Sequence, residues 1–173
     1  MHIRPESPDD APAVAALNRE TFGGDEEVLL IERLRADGII TVSLVAAEDA
    51  LVGHILFSDL AVELDGRPVE SVSLAPMCVR TGRQRQGIGS ALVRAGLDAV
   101  RDAGYAAVVV LGHPNFYPRF GFSADLAAKL ASPFAGAAFM ALDLVPGALD
   151  GARGTVTYPP AFRLADPASS RAI

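Results

Sequence analysis

A short turn rich in glycine and arginine is the part of the sequence best suited to chemistry. It spans residues 83–89 and reads RQRQGIG, between the end of a predicted strand and the start of a predicted helix. The first amides of a helix lack partners inside it and lie at the positive end of its dipole. Gly87 and Gly89 carry no Cβ, so an anion can come close to the backbone. The turn therefore predicts a site for a phosphate-bearing ligand, with Arg83 and Arg85 adding charge at the rim.

Two nucleotide-binding motifs differ from this turn at specific positions. A P-loop ends in Gly-Lys-Ser/Thr, whereas Gly89-Ser90-Ala91 contains no lysine. A dinucleotide-binding turn has a third glycine where this chain has Leu92, and an acidic residue at the end of the next strand, where this chain has Leu-Gly-His at 111–113. A glycine pair that simply opens a helix, with no ligand, is the alternative interpretation of the pair taken alone.

The composition narrows the class of protein. The chain has 173 residues, half of them hydrophobic, which favours a single domain over residues 1–173. Its formal net charge of −6 argues against nucleic acid as a partner. No apolar run reaches the ~18 residues of a membrane span, and the first residues do not resemble a signal peptide. Because Cys78 is the only cysteine, no internal disulfide is expected, and we predict a cytoplasmic protein that binds no membrane.

Hydrophobic patterning predicts a mixed α/β (α+β) arrangement. Ser7 to Asp10 reads as a helix start and Asp25 as the cap of a second helix. Asp65-Gly66 is a strong hairpin signal within an antiparallel meander. A helix from residue 88, followed by a buried strand, makes a βαβ unit with a right-handed crossover. The predicted strands cover residues 3–6, 39–47, 51–60, 61–64, 69–79, 106–111, 139–145 and 154–158.

The helix of this βαβ unit has a recognisable apolar face, whereas the end of the chain has no pattern of a helix or a strand. Residues at near-helical spacing predict the face that packs on the sheet. These residues are Ile88, Leu92, Ala95, Ala99 and Ala103, with Ala91 and Val93 widening the face. Residues 167–173 predict a frayed tail.

Two spaced motifs resemble the GNAT superfamily of N-acetyltransferases. Gln84-Arg85-Gln86-Gly87-Ile88-Gly89 is similar to its Gln/Arg-x-x-Gly-x-Gly/Ala signature, which follows a strand ending here at Val79. The segment 116–122, FYPRFGF, resembles the family's Tyr-x-x-x-Gly-Phe motif. Three further segments resemble the bacterial YhbS-type subgroup, namely 74–77, 111–114 and 158–162. The resemblance covers nearly the whole chain. It implies the GNAT fold, a mixed and mostly antiparallel central sheet of about six to seven strands, with a central splay and helices on both faces.

The resemblance also implies acetyl-coenzyme A as co-substrate. A β-bulge near Pro76 or Met77 would help to open the gap between the strands before and after the pyrophosphate helix, where the thioester would lie. The pantetheine arm would pair, like an added strand, with the backbone of Met77, Cys78 and Val79. The pyrophosphate would be bound by the backbone amides of Gln84, Arg85, Gln86, Gly87, Ile88, Gly89 and Ser90.

Tyr117 matches the family's general acid, which protonates the leaving thiolate of coenzyme A. A phenol with a pKa near 10 is protonated at pH 7 and can donate to sulfur while a neutral amine attacks the thioester. A backbone amide between Met77 and Val79 would polarise the carbonyl. The alternative is an aromatic side chain that only caps the core. Asn115 is a cofactor-binding candidate that departs from the pattern, because it lies only two residues before the tyrosine.

The base that takes the proton of the incoming amine is left open. The candidates are Glu27, His54, Asp59 and His113, or a chain of water molecules. His113 has the most suitable ordinary pKa. Cys78 is interpreted as a small buried hydrophobe rather than as a nucleophile. The three histidines have no metal-ligand spacing, so no metal is expected.

The acceptor cannot be identified from the residues. A small-molecule or peptide amine fits an acidic protein through electrostatic steering, and a homodimer is compatible with the resemblance. A domain that binds coenzyme A without catalysis, as a sensor, is the second functional hypothesis. A nucleotide-dependent oxidoreductase is the third, and Leu92 together with the missing acidic residue argues against it.

Overall fold

A mixed sheet forms the centre of the computed structural model, which describes residues 1–163. The strands are β1 (His2–Pro5), β2 (Ile40–Ala47), β3 (Leu51–Leu64), β4 (Arg67–Val79), β5 (Ala107–Leu111), β6 (Leu130–Ala131), β7 (Phe139–Asp143) and β8 (Gly154–Thr157). The helices are α1 (Ala11–Phe22), α2 (Glu26–Ala36), α3 (Ile88–Asp102) and α4 (Ala124–Ala127). The predicted frayed tail, residues 167–173, lies outside the described residues.

The strand order is β1-β2-β3-β4-β5-β7, with β8 beside the far half of β3 and β6 beside β8. Neighbouring strands are antiparallel except for the β4–β5 and β6–β8 pairs, which are parallel. The mixed, mostly antiparallel sheet is therefore confirmed, and the described residues contain eight strands rather than about six to seven. No helix among residues 1–163 is both long and apolar enough to cross a membrane.

The β3–β4 hairpin is the longest pairing in the sheet. Its two-residue turn has positive φ at both Asp65 (49°) and Gly66 (78°), as a type I′ turn requires. The hairpin signal at these residues is thus confirmed. The predicted strands 51–60 and 61–64 are one continuous strand, β3, whose near half pairs with β2 and whose far half pairs with β8.

The 3₁₀ turn Pro8–Asp10, which leads into α1, is capped by side chains, as the sequence predicts. The Ser7 amide donates to Asp10 Oδ2 at 2.8 Å, and Arg4 donates to both oxygens of the same carboxylate. Asp25 does precede α2, but its side chain makes no capping hydrogen bond. It accepts instead from Arg19 Nε at 2.6 Å, so this carboxylate joins α1 to the start of α2.

The sheet carries a layer of helix on each face. Strand residues alternate between the two layers, so Leu44 and Ala46 of β2 pack in the α3 layer while Val45 and Ala47 pack under α1 and α2. The α4 helix covers the same face as α1 and α2, farther along the sheet. The predicted pair of helical layers is confirmed, and the α3 layer is the one that reaches the turn at 83–89.

The buried face of α3 is rotated from the predicted one. Ala103 is exposed, and Ala95 and Ala99 are only half-buried. The buried residues of α3 are Ile88, Leu92, Val93, Gly96, Leu97 and Val100. The larger apolar side chains of the helix bury more surface than its alanines. Gly96 allows this orientation because an added Cβ there would lie 2.4 Å from Phe57 Cε2.

Replacing Gly96 with alanine tests this close approach. We expect Gly96→Ala to lower the free energy of unfolding by about 1–3 kcal/mol, since the methyl group overlaps the Phe57 ring. Chemical denaturation measures the change. Gly24→Ala is the matched control, because a Cβ at Gly24 meets nothing within 4 Å and Gly24 has no positive φ. Equal stability of the two variants would contradict the packing described here.

Candidate active site

The site begins where the parallel β4–β5 pairing stops. Pairing runs from Ser71 opposite Ala107 to Leu74 opposite Val110, and β4 then continues to Val79 with β3 as its only strand neighbour in the described residues. The register with β3 shifts at the same place, because β4 has one extra residue there. The predicted β-bulge near Pro76 is therefore confirmed. Beyond it β4 has no strand on its β5 side among the described residues, which leaves a gap in the sheet between the ends of β4 and β5.

The side chains of this free stretch of β4 alternate between the two layers. Met77 and Val79 pack against the α3 layer, and Cys78 packs under α1 and α2. Cys78 is 2% exposed, and burial raises the pKa of its thiol to about 12. The thiol is thus held protonated, which agrees with the interpretation of Cys78 as a small buried hydrophobe. The edge of β4 that faces the gap presents backbone rather than reactive side chains.

The turn before α3 presents a run of free backbone amides. In the part of the chain that the structure describes, none of the amides from Gln84 to Ser90 donates a hydrogen bond, and the first that does is Ala91, to the Gly87 carbonyl at 3.0 Å. Gln84 to Gly87 are exposed. Positive φ at Arg85 (60°) and Gly87 (86°) curves the turn into a concave row of N–H groups, a geometry that suits anions.

The space around this turn fits a diphosphate. A Cβ added at Gly87 would meet nothing within 4 Å, so the backbone there is open to a ligand. Gly89 lies deeper, with its Cβ position 3.6 Å from both Phe116 Cζ and Val79 Cγ2. The free amides therefore stand next to the free edge of β4, at one end of the gap between β4 and β5.

Arg83 departs from its expected role at the rim of the anion site. Its guanidinium pairs with Glu48 in the turn between β2 and β3, donating to Oε1 at 2.8 Å through NH2 and to Oε2 through NH1. Hydrogen bonding to Arg83 lowers the pKa of the Glu48 carboxyl. Reading the sequence alone missed Glu48, since it lies 35 positions away and no local pattern links it to the turn.

Tyr117 lies at the opposite side of the gap, in a 3₁₀ turn after β5. It is 2% exposed and belongs to the α3 layer of the core. The Phe116 and Phe122 rings meet it edge-on, with centroids 5.0 and 5.5 Å away. A Cβ added at Gly112 would lie 2.3 Å from Tyr117 Cε2, so the ring rests directly on the end of β5. Burial raises the pKa of Tyr117 above its ordinary value.

The segment between β5 and Tyr117 is a tight turn around His113. The amides of Phe116 and Tyr117 both donate to the His113 carbonyl, at 3.0 and 3.3 Å. Asn115 and the His113 side chain are exposed on this turn. The fold thus brings His113, Asn115 and Tyr117 to the same end of β5.

The other base candidates are spread over the molecule. Glu27 is buried on α2. Asp59 is exposed and lies opposite Val72 on the paired half of β4, about 20 Å along the strand from Val79 at roughly 3.3 Å per residue. There it accepts a hydrogen bond from the Tyr105 hydroxyl. Asp59 is therefore far from the gap, and we do not retain it as a base.

His54 is enclosed in a polar network under α1. Its Nε2 lies 3.0 Å from Ser43 Oγ, and Ser43 donates to Glu6 Oε2 at 2.5 Å. Asn18 Nδ2 lies 3.3 Å from His54 Nδ1. Since the Ser43 proton goes to Glu6, the pattern fits the histidine tautomer with its proton on Nε2. His54 is buried and both of its ring nitrogens lie within hydrogen-bond distance of protein side chains, so neither nitrogen is open to a substrate.

Metal ligation has no support in the described part of the chain. Among residues 1–163, no group of three or more histidine, cysteine, aspartate or glutamate side chains is arranged to hold a metal ion.

A match to a protein family identifies the class of protein that has this geometry. Residues 2–124 match the acetyltransferase (GNAT) domain. The chain is a member of the GNAT family. The matched GNAT region contains the free stretch of β4, the row of amides and Tyr117, so the resemblance carried by the two sequence motifs is confirmed.

Curated relatives of this GNAT chain are acetyltransferases by name. It is 41% identical over 164 residues to the uncharacterized N-acetyltransferase YhbS of Escherichia coli, across 91% of this chain and 96% of that one. It is 36% identical over 127 residues to the uncharacterized N-acetyltransferase YjhQ of the same species, across 70% and 68% of the two chains.

Solved structures agree with the GNAT assignment. The structure of E. coli YhbS in complex with CoA matches with a TM-score of 0.84 and 39% identity, covering 94% of this chain and 91% of that one. A GNAT family acetyltransferase from Brucella melitensis, in complex with acetyl-CoA, matches with a TM-score of 0.76 and 35% identity, covering 93% and 97%. The chain is thus an enzyme of acetyl transfer with the GNAT fold.

The contact between Gly112 and the tyrosine ring is open to a direct test. In Gly112→Ala the added methyl group would overlap the ring, so we expect Tyr117 to be displaced and the acetyl-transfer rate to fall about tenfold or more. Near-UV circular dichroism reports the tyrosine environment, and thiol release reports the rate. Gly24→Ala again serves as control, with no expected change in either signal. A Gly112→Ala variant with the wild-type spectrum and rate would show that the ring has room to move.

Proposed function

We propose that the chain transfers an acetyl group from acetyl-coenzyme A to a primary amine, with Tyr117 as the general acid. The observation that carries the proposal is the row of seven free amides, Gln84 to Ser90, beside an unpaired strand edge. The free amides can bind a diphosphate. The unpaired strand edge can pair with a pantetheine arm, which contains amide groups. The CoA and acetyl-CoA bound to the two similar solved proteins support the same assignment.

The free amides hold and orient the cofactor. Gln84 to Ser90 donate to the pyrophosphate, at the positive end of the α3 dipole. Met77, Cys78 and Val79 pair through their backbone with the amide groups of the pantetheine arm, as an added strand would. Acetyl-coenzyme A supplies the reactive thioester. The alternation of side chains on β4 keeps the Cys78 sulfur away from this edge, so the acetyl group passes directly to the amine.

The polar groups at the gap act on the developing charges. A backbone amide between Met77 and Val79 donates to the carbonyl oxygen as the amine attacks, in the manner of an oxyanion hole. Tyr117 then donates its phenolic proton to the sulfur as the carbon–sulfur bond breaks. Since burial raises the pKa of Tyr117, the phenol stays protonated until the negative charge forms beside it.

The exposed turn before Tyr117 carries two residues with proposed roles, one in binding the cofactor and one as the base. Asn115 is proposed to contact the pantetheine arm, because the turn brings it to the same end of β5 as Tyr117. His113 is the exposed base candidate on this turn, because imidazole is the side chain best suited to proton transfer near pH 7. The acceptor is proposed to be a small-molecule or peptide amine.

Ligand-dependent melting tests the cofactor assignment. Acetyl-CoA at about 100 times its Kd should stabilise the protein by about 2.7 kcal/mol, which raises Tm by roughly 5–10 °C, whereas NAD and ATP should leave Tm unchanged. Gly87→Ala should reduce the ligand-induced shift, because alanine resists the φ of 86° that the turn requires. Gly82→Ala, in open space and without positive φ, should keep it. A larger shift with NAD would defeat the assignment.

The role of Tyr117 is tested by removing its hydroxyl alone. Tyr117→Phe keeps the ring packing, so acetyl-CoA affinity should be unchanged while kcat falls tenfold or more. The raised pKa adds a second expectation. Because Tyr117 stays protonated above pH 9, the ratio of wild-type to variant rates should be constant from pH 7 to 9. Thiol release over a panel of primary amines measures both. Equal kcat values would remove Tyr117 from the mechanism, and no thiol release with any amine would favour a coenzyme A sensor.

A further inference from the structure

The ion pair between Glu48 and Arg83 engages every nitrogen of the guanidinium. NH1 and NH2 donate to the two oxygens of Glu48, and Nε donates to Gln86 Oε1 at 3.1 Å. Both members are partly shielded, with side chains 35% and 28% exposed for Arg83 and Glu48. A two-pronged pair with fixed geometry is the kind of surface ion pair that contributes measurably.

Both ends of this pair are held by short backbone turns. The Glu48 amide donates to the Ala50 carbonyl at 3.0 Å, in the turn between β2 and β3. The Arg83 amide donates to the Arg80 carbonyl at 2.8 Å. The pair therefore joins two ordered points, the end of one hairpin and the end of β4.

The row of amides that follows Arg83 has little support of its own. None of its amides donates inside the described protein. Gly87 to Ser90 are anchored by α3, where the Ala91 amide donates to the Gly87 carbonyl at 3.0 Å, whereas the printed hydrogen bonds of Gln84 and Gln86 are made by their side chains. Gln84 Nε2 donates to the Val79 carbonyl at 3.1 Å, and Gln86 Nε2 reaches the Gly82 carbonyl at 3.4 Å. Gln86 is in turn held by Arg83. An unrestrained loop loses conformational freedom when a ligand orders it, which weakens binding.

We propose that Glu48 is a positioning residue for the cofactor, which holds Arg83 and thereby keeps the amides of Gln84 to Ser90 arranged for a diphosphate. This inference rests on the proposed function. Glu48 itself does not touch the ligand, since its carboxylate would repel the phosphates and both of its oxygens are engaged by Arg83.

The rival role for Arg83 is direct contact with the phosphates. In that case Glu48 would compete with the ligand for the guanidinium, and removing Glu48 would strengthen binding. The two roles thus predict opposite signs for the same substitution.

Glu48→Gln in the full chain separates these roles. We expect the KM for acetyl-CoA to rise about five- to tenfold, with kcat and the KM for the amine unchanged, because only the order of the loop is lost. Asp49→Asn is the matched control, since it removes one carboxylate from the same turn and Asp49 forms no ion pair within residues 1–163. It should leave all three constants at the wild-type values.

A double-mutant cycle supplies the second measurement. Once Glu48→Ala has weakened binding, adding Arg83→Ala should weaken it little further, because the pair acts as one unit. Additive losses, or tighter binding in Glu48→Gln, would overturn the proposal.

Failure of this inference is distinguishable from failure of the proposed function. If the wild-type protein does not bind acetyl-CoA, the proposed function itself is wrong. If the wild-type protein binds it and Glu48→Gln behaves as Asp49→Asn does, the function stands and the positioning role falls.

Discussion

The candidate active site depends on where the parallel pairing of β4 and β5 ends. β4 and β5 bond only as far as Leu74 and Val110, while β4 continues to Val79 on the support of β3. The extra residue in β4 shifts its register with β3 at the same point. A backbone edge inside a protein normally finds a partner. Because the edge of β4 beyond Leu74 has no strand partner among the described residues, it leaves a slot in which a flexible chain with amide groups can pair.

Each element around the slot contributes one kind of group. The start of α3 presents amides, the end of β4 presents backbone, and the turn after β5 presents the phenol of Tyr117. None of these groups is a charged side chain, and the nearby charge on Arg83 is neutralised by Glu48. The proposed recognition by backbone groups requires a well-ordered scaffold rather than particular side chains, and the side chains of the turn do bond inward to carbonyls and to one another.

The sequence predicted features that depend on neighbouring residues. It did not predict contacts between residues that lie far apart in the chain. The Asp65-Gly66 hairpin, the break at Pro76 and the glycine turn all depend on neighbouring residues, and all appear as expected. Of the face predicted for α3, Ile88, Leu92 and Val93 are buried. The rest of the face was predicted wrongly because the orientation of the helix depends on Phe57, which lies against Gly96 from another strand. The link between Glu48 and Arg83, and the seat of Tyr117 on the end of β5, arise from tertiary contacts that no spacing rule encodes.

The far half of β3 pairs with a strand from near the end of the described chain, so the sheet needs more than the region that matches the family. Its partner β8, at Gly154–Thr157, lies beyond the region 2–124 that matches the family model, as does β7, the outer neighbour of β5. A chain that stopped at residue 124 would leave β5 and the far half of β3 each paired with β4 on one side and with a bare edge on the other, and bare strand edges pair readily with other molecules. The last quarter of the described residues, 125–163, therefore supplies the strands that cover these two edges.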